Sequence, residues 1–288
     1  VEIMFRARRF TATVIAVALL ISLIPGCGDD DGSTGTQPTP PEIPPLSSFL
    51  MEFSDFESGQ PYKPLLRGED PVDDGASMHN WAWAATNVLV WNTIITVGLA
   101  VPLAAFIEAF DHEPTRQPDS TWVWDYNFIA QDVIHLAELH GKIAEEKVLW
   151  EMYISKEGEY IDFLWYSGQC DLSVTEGTWT LFNNPADPTP LVGIEWHRYP
   201  ETATGDIKYT NIVPDGPENG GYIFYGTAAD GQYDAFYDIY NKGLDNHTEI
   251  EWDRTTKAGR VKDQDHFDDG DWHCWDSELQ DGPCALSQ

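Results

Sequence analysis

From Thr121 onward, apolar and polar residues alternate with a period of two. Trp122, Trp124, Tyr126 and Phe128 share one parity, with Val123, Asp125 and Asn127 on the other. The same alternation runs through Trp150, Met152 and Ile154, then Ile161, Phe163 and Trp165. It continues in Trp179 with Leu181, Ile194 with Trp196, Ile207 with Tyr209, Tyr222 with Phe224, Tyr233 to Ile239, and Ile250 with Trp252. Clusters of Gly, Pro, Asn and Asp punctuate it at 156–158, 183–190, 204–206, 214–221 and 230–231. Period-two segments joined by short turns predict an antiparallel meander. The predicted class is mainly β: a large curved meander of about 9–11 strands, forming a half-barrel or barrel. Phe49-Leu50-Met51, Phe53 and Phe56 predict a first strand within 46–56.

One segment breaks the pattern. No charged residue occurs between Trp81 and Ile107, a run that would span about 40 Å as a helix. Asn and Thr are scattered through it, so it predicts one long buried helix near 78–110, kinked by Pro102, rather than a membrane span. Thr86, Thr93, Thr96, Ala100 and Ala104 fall near one face of such a helix. That small-residue face is the candidate lining of an apolar-ligand cavity between helix and sheet.

The chain opens with Arg6, Arg8 and Arg9, then an apolar run from Phe10 to Ile24 that ends in Leu23-Ile24-Pro25-Gly26-Cys27. The layout is that of an export signal. The five closing residues resemble the lipobox of bacterial lipoproteins, with proline unusual at its position. The resemblance implies cleavage after residue 26, diacylglycerol on Cys27 and anchoring to a membrane by acyl chains. It implies nothing about the fold that follows. Residues 27–45, with Asp29-Asp30-Asp31 and then Pro38 to Pro45, predict a disordered tether, leaving 46–288 as one domain. The expected location is the cell envelope, on the outer membrane, facing the periplasm or the surface. In outline the expected architecture resembles the lipoprotein-carrier folds of that compartment.

Charge narrows the partners. With 16 Lys+Arg against 48 Asp+Glu, the formal net charge is −32, which argues against nucleic acid. Of the four cysteines, Cys27 is assigned to lipid. Cys274 and Cys284 are close in an Asp- and Gly-rich tail and are the expected disulfide, closing a tail over 263–288. Cys170 is left as a structural thiol.

Candidate chemistry is sparse. Asp263, Asp265, Asp269 and Asp271 suit a hard cation such as calcium, although their spacing does not match a helix-loop-helix calcium loop. No cofactor is otherwise implied. His247 with Glu249 and Glu251, and Glu195 with His197, share strand faces that could present ligands or simply meet solvent. Nucleophile-elbow, zinc-protease and phosphate-loop motifs are lacking. The sequence therefore points to a non-enzymatic lipid-anchored protein holding an apolar ligand. A surface glycan-binding module is one alternative, and a hydrolase with paired carboxylates another. The orientation of the aromatic residues separates the first two readings.

Overall fold

The computed structural model describes residues 38–57 and 77–284. The expected signal, Cys27, most of the tether and all of residues 59–75 lie outside the described residues. Thr39–Gln288 forms one compact unit. The packed chain thus starts before residue 46, because Pro41 and Pro44 are buried and Ile43 packs on the core.

The chain enters through Leu46–Ser48, a single 3-10 turn, and the short helix α1 (Ser54–Glu57). The predicted first strand is absent here. Phe49, Met51, Phe53 and Phe56 are all buried, yet this stretch pairs with no strand. It lies across the core with tyrosine hydroxyls serving its backbone. Tyr209 Oη accepts from Met51 N–H (2.8 Å) and donates to the Phe49 carbonyl (3.0 Å), and Tyr237 Oη donates to the Glu52 carbonyl. Burial alternates as in a strand, but the partners are side chains.

The helical segment is two helices. α2 (His79–Gly98) and α3 (Ala100–Glu108) meet at a 71° bend. Pro102 has no N–H to bond the carbonyl four residues back, and its ring crowds that carbonyl, so the break falls just before it. Among the described residues, no single helix is long and apolar enough to cross a membrane. The expectation of a wholly buried helix is also corrected. Trp81, Ala85, Val88, Ile95 and Leu99 are buried, while Val90 and Ile94 are about half exposed (56% and 47%). Uniform apolarity concealed which face packs.

Among the described residues, fourteen antiparallel strands follow in chain order, each bonded only to its chain neighbours. They are β1 (Thr115–Arg116), β2 (Trp122–Ala130), β3 (Val133–Ala144), β4 (Lys147–Lys156), β5 (Tyr160–Asp171), β6 (Glu176–Asn184) and β7 (Asp187–Tyr199). The second half comprises β8 (Thr204–Asn211), β9 (Tyr222–Thr227), β10 (Ala235–Asn241), β11 (Asn246–Trp252), β12 (Gly259–Lys262), β13 (His273–Trp275) and β14 (Asp281–Gly282). The short helix α4 (Gln264–Phe267) interrupts the last strands. First and last strands do not pair, so the sheet is open. α3 packs against β2, and α2 against β11 to β14, so the two helices reach both ends of the sheet.

One face of the sheet is the core, and its rows follow from the register. One row runs Gly141, Trp150, Gly168, Trp179, Ile194, Tyr209, Ile223 and Ile239. The next runs Val148, Cys170, Gly177, Trp196, Ile207, Tyr225, Tyr237, Ile250 and Val261. Tryptophans face glycines across strands. A Cβ at Gly168 would lie 2.3 Å from the Trp179 ring, at Gly177 2.8 Å from Trp196, and at Gly141 2.7 Å from Trp150. Each indole therefore fills the space its neighbour vacates, the large-to-small interdigitation that gives a core native density.

Two predicted parities are corrected. In β5 a register shift between Met152 and Tyr153 puts Tyr166 and Cys170 on the core side beyond Trp165, and a second shift between Ile154 and Lys156 leaves Ile161 83% exposed. In β9 the buried residues are Ile223 and Tyr225, while Tyr222 and Phe224 face outward.

Candidate ligand groove

Where the core face reaches the ends of β7 to β9, its side chains become small. Arg198, at the end of β7, pairs with Gly205 on β8, and Thr227 at the end of β9 reaches Gly205 through its hydroxyl. This row continues the parity of Trp196, Ile207 and Tyr225, so its side chains project to the core side. A Cβ at Gly205 would come within 2.7 Å of the His197 carbonyl, which holds that position to glycine. Thr227 is tied down locally, its hydroxyl accepting from Gly205 N–H (3.1 Å). Gly205 and Thr227 thus leave a hollow beside the Arg198 side chain. The entering segment borders it with Leu46, Leu50 and Met51, giving an open groove of about 700 Å³ that also includes Tyr225, Glu52 and Arg254. That volume is ordinary for a small-molecule site.

The polar groups around the groove differ in what they have left to give. On the outward parity, His197 Nδ1 lies 2.7 Å from Asp206 Oδ1, and Tyr199 Oη donates to Asp206 Oδ2 at 2.8 Å. The hydrogen bond to Asp206 raises the Tyr199 pKa. Arg254 Nε is 3.1 Å from Asp234 Oδ2, and Glu52 Oε1 accepts from Ser54 N–H at 3.0 Å. Arg198 pairs with no carboxylate among the described residues; its Nη1 reaches only the Val174 carbonyl, at 3.4 Å. Tyr225 is 8% exposed, and its hydroxyl makes no hydrogen bond within the described residues. Burial, with the carboxylates of Glu52, Asp55 and Asp234 nearby, pushes its pKa up to about 12 against the opposing pull of Arg254.

The residues expected to line a cavity under the helix do not gather round one. Thr86, Thr93 and Thr96 lie on α2, and Ala100 and Ala104 on α3, beyond the bend. Thr93 and Thr96 are exposed. Thr86 and Thr93 donate to their own helix carbonyls at Ala82 and Leu89 (2.8 Å each), and Thr96 to Asn92. A 71° turn destroys the alignment that a straight helix would give them.

The acidic tail is likewise apportioned. Asp263 is buried and accepts four hydrogen bonds: Trp83 Nε1 (2.9 Å), Asn246 Nδ2 (2.9 Å), Thr248 Oγ1 (2.7 Å) and His266 N–H (3.1 Å), the last capping α4. Asp269 holds His273 at 3.0 Å and accepts from Asp271 N–H. Asp265 and Asp271 are exposed. Among the described residues, no three His, Cys, Asp or Glu side chains converge as a metal site. Cys274 and Cys284 are bonded, and Cys170 is a buried free thiol that accepts from Trp150 Nε1 (3.3 Å). Within the same tail, Asp281 caps α2, accepting from the backbone N–H of His79 (3.1 Å) and Asn80 (2.9 Å).

On the outer face, Glu249 pairs with Lys262 (2.6 Å), Glu251 with Arg260 (2.5 Å), and His247 with Asp238 (3.4 Å). Glu195 and Lys208 face each other across strands. Asp238, His247, Glu249 and Glu251 border a smaller groove of about 250 Å³ that Phe236 and Trp272 also line. Sequence reading missed Arg198 and Tyr225, because the hollow beside them exists only once Gly205 is set opposite Arg198. No protein-family model, curated protein or solved structure matches the chain.

Proposed function

We propose that the chain is the precursor of a lipid-anchored bacterial envelope protein that holds a small ligand and is not an enzyme, the ligand lying in the groove at the end of β7 to β9. The observation that carries this reading is that groove itself. It has the volume of a ligand site, an apolar wall from Leu46, Leu50 and Met51, and in Arg198 a guanidinium that no carboxylate among the described residues pairs. The core tryptophans support it by subtraction: their rings are spent packing on glycines, so the space left for a ligand lies at the strand ends.

Two measurements test the reading. Native mass spectrometry of the chain purified from envelopes should find a co-purified small molecule, and a ligand-free protein from several preparations would refute the holding role. The variant Cys27→Ser should no longer incorporate labelled palmitate. Unchanged labelling would remove the anchor.

The outer groove favours a second reading as a glycan-binding module. Phe236 and Trp272 flank it, and paired charges between them offer hydrogen bonds to hydroxyls. Loss of binding to immobilised oligosaccharide on Trp272→Ala would support that reading over the first.

A further inference from the structure

We propose that the ligand of the groove is an organic anion with an apolar chain, its head group bound by Arg198 and Tyr225 and its chain lying along Leu46, Leu50 and Met51. This deepens the ligand-holding reading and rests on it.

Two independent observations converge. The first is electrostatic. The described cations near this end of the sheet are mostly engaged, Arg254 by Asp234 and Lys257 by Asp55. Arg198 is not, in a chain with three times as many acidic as basic side chains. A guanidinium is a planar fork of donors suited to carboxylate or phosphate, and a single long contact to the Val174 carbonyl leaves most of that fork unused. The second is Tyr225, a buried residue that lines the groove and whose hydroxyl makes no hydrogen bond within the described residues. A phenolic hydroxyl that no protein group among those residues has taken can donate to a ligand oxygen.

The negative groups nearby set the direction of the head group. Glu52 and Asp206 also border the groove, but Asp206 is held on the outward parity by His197 and Tyr199, and Glu52 by Ser54. Negative charge is therefore favourable beside Arg198 and unfavourable toward Glu52, so the anionic head group belongs at the β7 end. The apolar wall from Leu46 to Met51 then accepts the chain. A free carboxylate and a phosphate head group would use the same donors.

The test uses the full chain in phosphatidylcholine vesicles, with protein-free vesicles as the blank and carboxyl-labelled octanoate as the probe, followed by carbon NMR. We expect saturable binding, a loss of affinity of tenfold or more in Arg198→Gln, and a smaller loss, about threefold, in Tyr225→Phe. Octanol should compete at least tenfold less well than octanoate, and octyl phosphate about as well. Thermal melts of both variants check that they remain folded. Equal affinity for octanol, or an unchanged affinity in Arg198→Gln, would overturn the proposal. If native mass spectrometry still finds a co-purified molecule in that event, the ligand-holding reading survives with a different site or ligand class.

Discussion

Replacing Asp263 with alanine should cost the domain a large part of its stability. The carboxylate is 1% exposed and joins three elements: α2 through Trp83, β11 through Asn246 and Thr248, and α4 through the His266 N–H. Removing the carboxylate deletes a helix cap, worth about 0.5–2 kcal/mol. It also strands donors inside the protein, at about 1–3 kcal/mol for each one that water does not reach. Thr248 can rotate its hydroxyl to another acceptor, but the Trp83 indole N–H has a fixed direction. The expected total is about 3–5 kcal/mol, against about 5–15 kcal/mol for a whole domain.

Asp263→Asn keeps one acceptor oxygen and turns an amide toward the remaining donors. It should cost less, about 1–3 kcal/mol, because only the donors facing the lost oxygen go unmet. Urea unfolding of the full chain in neutral detergent, followed by tryptophan fluorescence, measures both. A loss below about 1 kcal/mol in Asp263→Ala would show that water replaces the carboxylate and that the site is not sealed. The same titrations in calcium should coincide with those without it, since both carboxylate oxygens already face protein donors. A calcium-dependent rise lost in the alanine variant would restore Asp263 as a cation ligand.

Two further outcomes follow from the tail and from the turn after β5. Non-reducing peptide mapping should join Cys274 to Cys284, and Cys284→Ser should lower stability by about 3 kcal/mol, the closure entropy of a loop with a separation of 10 residues; Cys170 found in the bridge would refute the assignment. At Asp171, burial pushes the pKa up, but hydrogen bonds from Ser173, Thr175 and the Glu176 N–H outweigh it and hold the group well below its usual value. A depressed pKa gives stability that is present above the unfolded value and lost as pH falls through the folded one. Asp171→Asn should therefore cost about 1 kcal/mol at pH 7 and progressively less below about pH 4. A difference that stayed constant into strong acid would show that the charge of Asp171 contributes nothing.

How much of this was legible depended on the range of the interaction involved. Most meander strands could be read because a half-buried strand needs only its own alternation, as in Trp124, Tyr126 and Phe128 or Ala235, Tyr237 and Ile239. β3 escaped because its core positions include Ala137 and Gly141 while Ile134 and Leu136 face solvent, so its apolar pattern does not mark the buried face. The glycine at 141 makes sense only beside Trp150, a neighbour chosen by pairing. The disulfide partners were legible from proximity along the chain.

The tertiary structure decided the rest, because its determinants are long-range. The face of α2 that packs, the bend that separates Thr86 from Ala104, and the burial of Asp263 each depend on residues far away in sequence. So does the groove. Arg198, Gly205 and Thr227 carry no motif between them, and what makes them neighbours is the register of β7, β8 and β9. By itself the sequence determined the class of fold, the period of its strands and the likeness of its first residues to an export signal, since those are written in local composition and spacing. Where a ligand could lie was set only when the strands aligned and put a glycine beside an arginine.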